Sequence, residues 1–262
     1  MARDSVARPS SVFYPETTAA GSVAQRTFDI LLDEIMAFRL KPFELISEKG
    51  LSEALGVSRT PVREALARLA SLGLIDIYAQ RGSVVAPLRL ANLRKSQFLR
   101  EALEVGLIAR AIESPERDEL VRKLRNELAI QDTLLQISDD QRFFRSDELF
   151  HQHIAAYAGF PGIWADISAA KLHMDRFRHL SFPRMDSVAE VIEQHRTIAA
   201  AIERGDQQAA EAAMRHHLRR VFSVLGRVQE RYPEYFSASN QPEPSRIQRF
   251  EGEIRVGEPV TS

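Results

Sequence analysis

The chain has 262 residues, an apolar content of 44% and a formal net charge of −1, which is enough for two modest domains with real cores. It contains no cysteine, which excludes a disulfide framework and a thiolate metal site. No apolar run reaches the roughly 18 residues of a membrane span, and the opening MARDSVARPSSVFYPETTAAGS has no apolar segment long enough for a signal peptide, so a cytoplasmic protein is expected.

Residues 1–21 are polar and proline-bearing and read as mobile. Next, VAQRTFDILLDEIMAFRL puts Phe28, Leu31, Leu32, Ile35 and Met36 on one face of a helix. ISEKGLSEALGV reads as a second, short helix ended by Gly56. After a brief spacer comes SRTPVREALARLASLG. Proline is tolerated in a first helical turn, where its missing N–H has no partner anyway, and Ser58 or Thr60 can cap that start. Val62, Ala65, Leu66, Leu69 and Leu72 recur at helical spacing, and Gly73 is the stop.

Arg59 and Arg63 then lie near the N-terminus of this third helix, on its outward face. That is the layout of a helix-turn-helix, in which such arginines can pair with O6 and N7 of guanine. A solvated charged face on an ordinary helix pair has the same spacing. Downstream, residues 74–78 and 83–86 are β-rich runs around a turn holding Gln80, Arg81 and Gly82. Three helices and a hairpin make a winged helix over 22–88, with Arg81 at the wing tip in reach of phosphate or the minor groove.

Acidic and basic residues balance over this half, so any positive footprint is local: Lys49, Arg59, Arg63, Arg68 and Arg81. Few phosphate contacts per subunit and a modest salt slope follow, and useful affinity requires two copies of the domain on one site.

PLRLAN, residues 87–92, reads as a linker. Helical patterns follow at 91–113, 116–136, 139–158, 161–180, 187–204 and 206–231, giving an all-α second domain over 89–231. Residues 232–262 are rich in Pro, Glu and Ser and are expected to be a disordered tail. In the helix at 139–158, Asp147 and His151 fall in phase with Phe143, Phe144, Phe150 and Ile154. His195 is central in the stripe of the helix at 187–204, and His217 in that of the last helix. Inward-pointing polar groups need partners. One carboxylate and three imidazoles can satisfy each other around Zn²⁺, Ni²⁺ or Mn²⁺. A lone in-phase histidine is more often a satisfied core residue, so the ligand reading rests on the coincidence of all four. His153, His173, His179 and His216 fall off the stripe centres.

The stretch LISEKGLSEALGVSRTPVREALARLASLGLIDIYAQRGSVVAPL resembles the DNA-binding domain of the GntR family of bacterial transcriptional regulators. The resemblance implies base reading by Arg59 and Arg63 at a helix started by Ser58, help from Lys49 and Thr60, and a wing turned at Gly82 beside Arg81. One departure is Phe43, where the family pattern usually has glycine. DELFHQHIAAYAG, IEQHRTIAAAIERGDQQAAEAAMRHHL and LREALEVGLIAR resemble the all-helical FCD effector domain of the FadR subfamily, whose metal pattern falls on Asp147, His151, His195 and His217. That implies a metal-bearing pocket, Zn²⁺ first among the candidates, for a small carboxylate effector. The basic partner would be Arg100, which could instead form a surface salt bridge with Glu104. A second departure is Phe160, where the family often has asparagine.

The reading is therefore a mainly α protein and no enzyme: a homodimeric, ligand-responsive regulator, in this family more commonly a repressor, that binds operator DNA. The alternatives are a metal-dependent hydrolase using Zn-bound water and an architectural DNA-binding protein with structural histidines.

Overall fold

A computed structural model of the chain describes residues 22–181, 188–239 and 243–249. The expected mobile segment 1–21 and the end of the expected tail, 250–262, lie outside them. The protein is mainly α, with a winged helix-turn-helix followed by an all-helical domain. Of the described residues, 22–89, 232–239 and 243–249 form one unit, and Leu90–Arg231 form the other.

The first unit opens with α1 (Val23–Met36), started by Ser22, whose hydroxyl accepts from the Gln25 amide at 3.1 Å. Strand β1 (Glu44–Ile46) leads into α2 (Glu48–Leu55), capped by Ser47 and closed by Gly56 at φ 66°. Helix α3 (Arg59–Ser71) begins after N-cap Ser58, with Pro61 in the first turn. Strands β2 (Ile75–Tyr78) and β3 (Gly82–Val85) form the wing hairpin, and β1 pairs antiparallel with the other edge of β3. Leu31, Ile35, Leu51, Leu55, Val62 and Leu69 are buried beneath it. Leu69→Ala removes a fully buried side chain, and urea unfolding of the variant is expected to show a loss of about 2–5 kcal/mol. Arg68, counted above in the positive footprint, is used in packing: its Nη1 donates to Gln25 Oε1 at 2.9 Å, and its guanidinium lies 3.9 Å from the Phe28 ring centre.

Three features of this unit differ from expectation. The proposed linker is partly structured, because residues 88–89 form β4 (Leu88–Arg89) and the next helix starts at Leu90. The turn between α1 and β1 is made without glycine: Phe38 and Phe43 sit at φ 56° and 67°, a region that costs a residue with a Cβ about 1–2 kcal/mol. Most plainly, the expected disordered tail is ordered over its described residues. A short 3₁₀ turn (Pro233–Tyr235) leads into β5 (Phe236–Ser237), parallel to β4. A second 3₁₀ turn (Pro244–Arg246) leads into β6 (Gln248–Arg249), parallel to β1. Its composition misleads because backbone pairing to existing strand edges needs no run of apolar side chains.

The second unit comprises α4 (Leu90–Glu113), α5 (Arg117–Gln136), α6 (Asp140–Ala156), α7 (Ile163–Ser181), α8 (Val188–Arg204), α9 (Gln207–Arg219) and α10 (Val221–Arg231). Its core joins Ile108, Leu120, Leu124, Phe150, Ile198 and Met214 from α4, α5, α6, α8 and α9. Asp206 caps α9 by accepting from the Ala209 amide at 3.0 Å. The single helix expected over 206–231 is two. The Arg220 amide bonds His217 O at 3.2 Å, and the Ser223 amide and hydroxyl both take Arg220 O, which interrupts the i to i−4 ladder. Phe160, between Gly159 and Gly162 at positive φ, is 49% exposed and lies outside the cavity described below.

Candidate metal centre and nucleic-acid interface

Helix α6 carries Asp147 and His151 one turn apart, α8 carries His195 and α9 carries His217, all on buried faces. The structure brings one ligand atom from each of the four within 4.8 Å of one another. His151 Nε2 and His217 Nε2 are 3.1 Å apart, and His195 Nε2 is 3.5 Å from Asp147 Oδ1. The rings are held from outside. His195 Nδ1 is 2.9 Å from Gln131 Oε1, His217 Nδ1 is 3.0 Å from Gln194 Oε1, and His151 Nδ1 is 2.6 Å from Glu104 Oε2. The Phe150 ring stacks on His195 at 4.1 Å.

An outer acceptor on the Nδ1 of His195 and of His217 places the proton there and turns the Nε2 lone pair inward, and the Glu104 carboxylate beside His151 Nδ1 favours the same arrangement by charge although the contact lacks hydrogen-bond geometry. Burial pushes His195 down to about 3 and His217 well below its ordinary value, so both rings are neutral. Burial alone would raise the Asp147 carboxyl, but Arg178, and after it the imidazoles, hold it well below the usual carboxylate range. Two lone pairs facing each other at 3.1 Å repel unless a proton or cation lies between them. Asp147 Oδ1 and His195 Nε2 are buried with no hydrogen-bond partner among the described residues, a costly state without a ligand. Three imidazole nitrogens and a carboxylate oxygen fit a borderline divalent ion such as Zn²⁺, Ni²⁺ or Mn²⁺.

A cavity of about 40 Å³ opens against this cluster, lined by Asp147 and His217, the arginines Arg100, Arg178 and Arg220, Ser181 and several apolar side chains. That is room for about three water molecules. Arg100 is 4% exposed. Its Nε donates to Glu104 Oε1 at 2.5 Å, so the expected salt bridge exists but is buried rather than on the surface. Arg100 Nη2 is buried without a partner. Sequence reasoning missed Arg178 and Arg220. Arg178 ion-pairs with Asp147 Oδ2, and with Glu148 Oε1 at 3.1 Å, while Arg220 pairs with Glu190 at 2.9 Å. The signal for Arg178 was present: Lys171 and Asp175 lie on the buried face of α7, and half-buried Arg178 follows them at helical spacing, as His151 follows Asp147 on α6. Lys171 Nζ is 2.6 Å from both Glu148 and Asp175, so this network holds the carboxylates next to the cluster in place.

On the winged helix, Ser58, Arg59, Thr60 and Arg63 are exposed at the start of α3, and Lys49 is exposed on α2. Ser58 caps by backbone position only, without a side-chain hydrogen bond. Arg63 Nε pairs with Glu48 Oε2 at 2.7 Å, and Lys49 Nζ lies 3.6 Å from Glu53. Arg81 and Gly82 are exposed at the wing turn, Gly82 with φ 101°.

The model of the bacterial regulatory proteins of the gntR family matches residues 23–85, and that of the FCD domain matches residues 97–220. An HTH-type transcriptional regulator in an unstable DNA locus of Streptomyces ambofaciens is 37% identical over 219 residues, 81% of this chain and 89% of its own length. The HTH-type transcriptional repressor RspR of Escherichia coli K12 is 32% identical over 215 residues, 82% of this chain and 94% of its own. Among solved structures, E. coli McbR/YncC superposes with a TM-score of 0.63 at 22% identity, covering 81% of this chain and 99% of that one, which shows a shared fold.

Proposed function

Because the chain belongs to the GntR family of bacterial regulatory proteins and carries an FCD domain, it is a DNA-binding transcriptional regulator and not an enzyme; we propose that it is a repressor whose helical domain senses a small carboxylate through a bound divalent cation. Repression is supported by the repressor name of the RspR relative. The observation that carries the sensing is the convergence of three imidazole nitrogens and Asp147 beside a cavity lined by buried Arg100 and half-buried Arg178 and Arg220.

In this reading Asp147, His151, His195 and His217 hold the ion, Zn²⁺ before Ni²⁺ or Mn²⁺, and place the chain in the metal-bearing branch of the FadR subfamily. The ion supplies a Lewis-acid site for a carboxylate oxygen. Arg100, with an Nη2 that has no partner, supplies the charge-assisted donor that orients the anion. Arg59, Arg63 and the wing tip at Arg81 face operator DNA, with Lys49, Ser58 and Thr60 beside them. Two copies on a paired half-site supply the affinity that so small a basic footprint cannot. The effector acts by favouring one arrangement of the dimer over another, and it moves the operator affinity by as much as its own affinity differs between the two.

Arg100→Gln tests the anion site while leaving the metal ligands intact. The variant is expected to keep its metal and to lose the thermal shift given by any carboxylate that stabilises the wild type, a loss of at least about tenfold in effector affinity. An undiminished shift contradicts the role of Arg100.

A further inference from the structure

The chain leaves α10 at Arg231, and its next described residues belong to the winged-helix unit. The contacts there converge on the two left-handed phenylalanines. Tyr235 stacks on Phe38 with ring centres 5.4 Å apart and planes 5° from parallel. The Arg246 guanidinium lies 3.9 Å over the Phe43 ring, and the Phe43 carbonyl accepts from the Gln248 amide at 2.9 Å. A left-handed residue is usually glycine because a Cβ is unfavourable there. Here both positions carry a ring, and both rings meet the C-terminal segment. Arg246 ties that segment together: its guanidinium donates to Phe236 O at 2.7 Å and to Glu234 O at 2.8 Å, and it pairs with Glu243 at 3.3 Å.

The same segment reaches the wing. Strand β6 extends the wing sheet to the order β2-β3-β1-β6. Tyr78, the last residue of β2 before the wing turn, accepts from the Glu243 amide at 3.0 Å through its hydroxyl. Arg81, on the turn itself, donates from Nη1 to Pro244 O at 3.3 Å. That hydrogen bond uses one of five guanidinium donors and leaves the others for a phosphate.

We propose that the C-terminal segment, residues 232–239 and 243–249, is a strap that positions the wing for DNA, with Arg246 as its lock and Arg81 as the group it orients. Arg246 is a positioning residue that acts through Arg81 and touches no DNA itself. The segment belongs functionally to the DNA-binding domain although the helical domain separates the two in sequence. Its role is preorganisation: the wing tip is held before DNA arrives, so less ordering remains to be done on binding. The inference rests on Arg81 as a wing-tip DNA contact, which Arg81→Ala tests alone, while Arg59→Ala reports separately on DNA reading by α3.

The experiment is a double-mutant cycle on operator affinity with the full chain, measured over a range of salt. Arg246→Ala is expected to weaken binding roughly three- to tenfold and to lower the salt slope by about one. Arg81→Ala does the same, and the double variant binds no more weakly than Arg81→Ala alone. Phe43→Gly removes the platform under Arg246 from the other side, relieving the strain at φ 67° at the cost of a buried ring; thermal melts of both variants separate a folding defect from a lost strap, and with a cooperative transition retained the operator affinity of Phe43→Gly falls as for Arg246→Ala. The proposal is overturned if Arg246→Ala and Phe43→Gly bind as wild type while Arg81→Ala is weakened. It is overturned equally by additive losses in the cycle, by tighter binding on release of the strap, which would make it a mask, or by an Arg81→Ala variant with unchanged affinity.

Discussion

Purified His195→Ala protein is expected to carry at least about tenfold less divalent metal than the wild type, and to have lost the response of its melting temperature to a chelator. His195 is fully buried with its Nε2 3.5 Å from Asp147 Oδ1, so the substitution removes one of the four inward-facing ligand atoms. An ion held at 100 to 1,000 times its dissociation constant stabilises the fold by about 3–4 kcal/mol. In the wild type a chelator removes that contribution and leaves the buried polar atoms of the cluster facing one another. In the variant there is nothing left to remove. The substitution also leaves a void against the Phe150 ring, which by itself lowers stability. For that reason the decisive readout is the chelator dependence and not the melting temperature. Full metal content in the variant contradicts the ligand set.

Arg59→Ala and Arg63→Ala are each expected to weaken operator binding by about 1–3 kcal/mol and to relax base preference at the position each one reads. Arg59 is exposed at the first position of α3, where a recognition helix presents its side chains to the groove. Arg63 starts from a different state, because without DNA it is paired with Glu48 at 2.7 Å. Releasing an exposed pair of this kind costs about 0–1 kcal/mol, so Arg63→Ala falls toward the lower end of the range. Glu48→Gln, which removes the competing carboxylate, strengthens binding slightly. Fluorescence anisotropy with operator variants at two salt concentrations measures all three, and unchanged affinity and base preference for both arginine variants would remove α3 from the DNA interface.

Much of this site was legible in the sequence wherever one strong local rule acts. Gly56 and Gly73 mark helix ends because the chain turns left-handed there. The cluster could be found because a polar residue in the phase of a buried stripe is an anomaly, and Asp147, His151, His195 and His217 share it. The same rule applied to α7 points to Lys171, Asp175 and Arg178, whose charges are paired inside the domain with one another and with Asp147 and Glu148. The break at Arg220 was not legible, since apolar spacing continues through it from Met214 to Val224 and Val228 and only the hydrogen bonding changes. Nor was the C-terminal segment. It is held by backbone pairing to β1 and β4 and by one arginine fanned across carbonyls, and neither leaves a period in the residues. Phe43 was visible as a departure from the family pattern, but its reason, a ring held under Arg246, depends on residues some two hundred positions away in the sequence.

The most direct test of the account is a thermal-shift screen of the purified chain against small carboxylates and sugar acids, each with and without a chelator, alongside elemental analysis of the bound metal. A metal-dependent carboxylate sensor predicts a transition metal in the protein and at least one acid that raises the melting temperature only while that metal is present. A shift that persists in chelator, or a metal-free protein that melts at the same temperature with and without it, would contradict the account and leave the four buried residues a structural role.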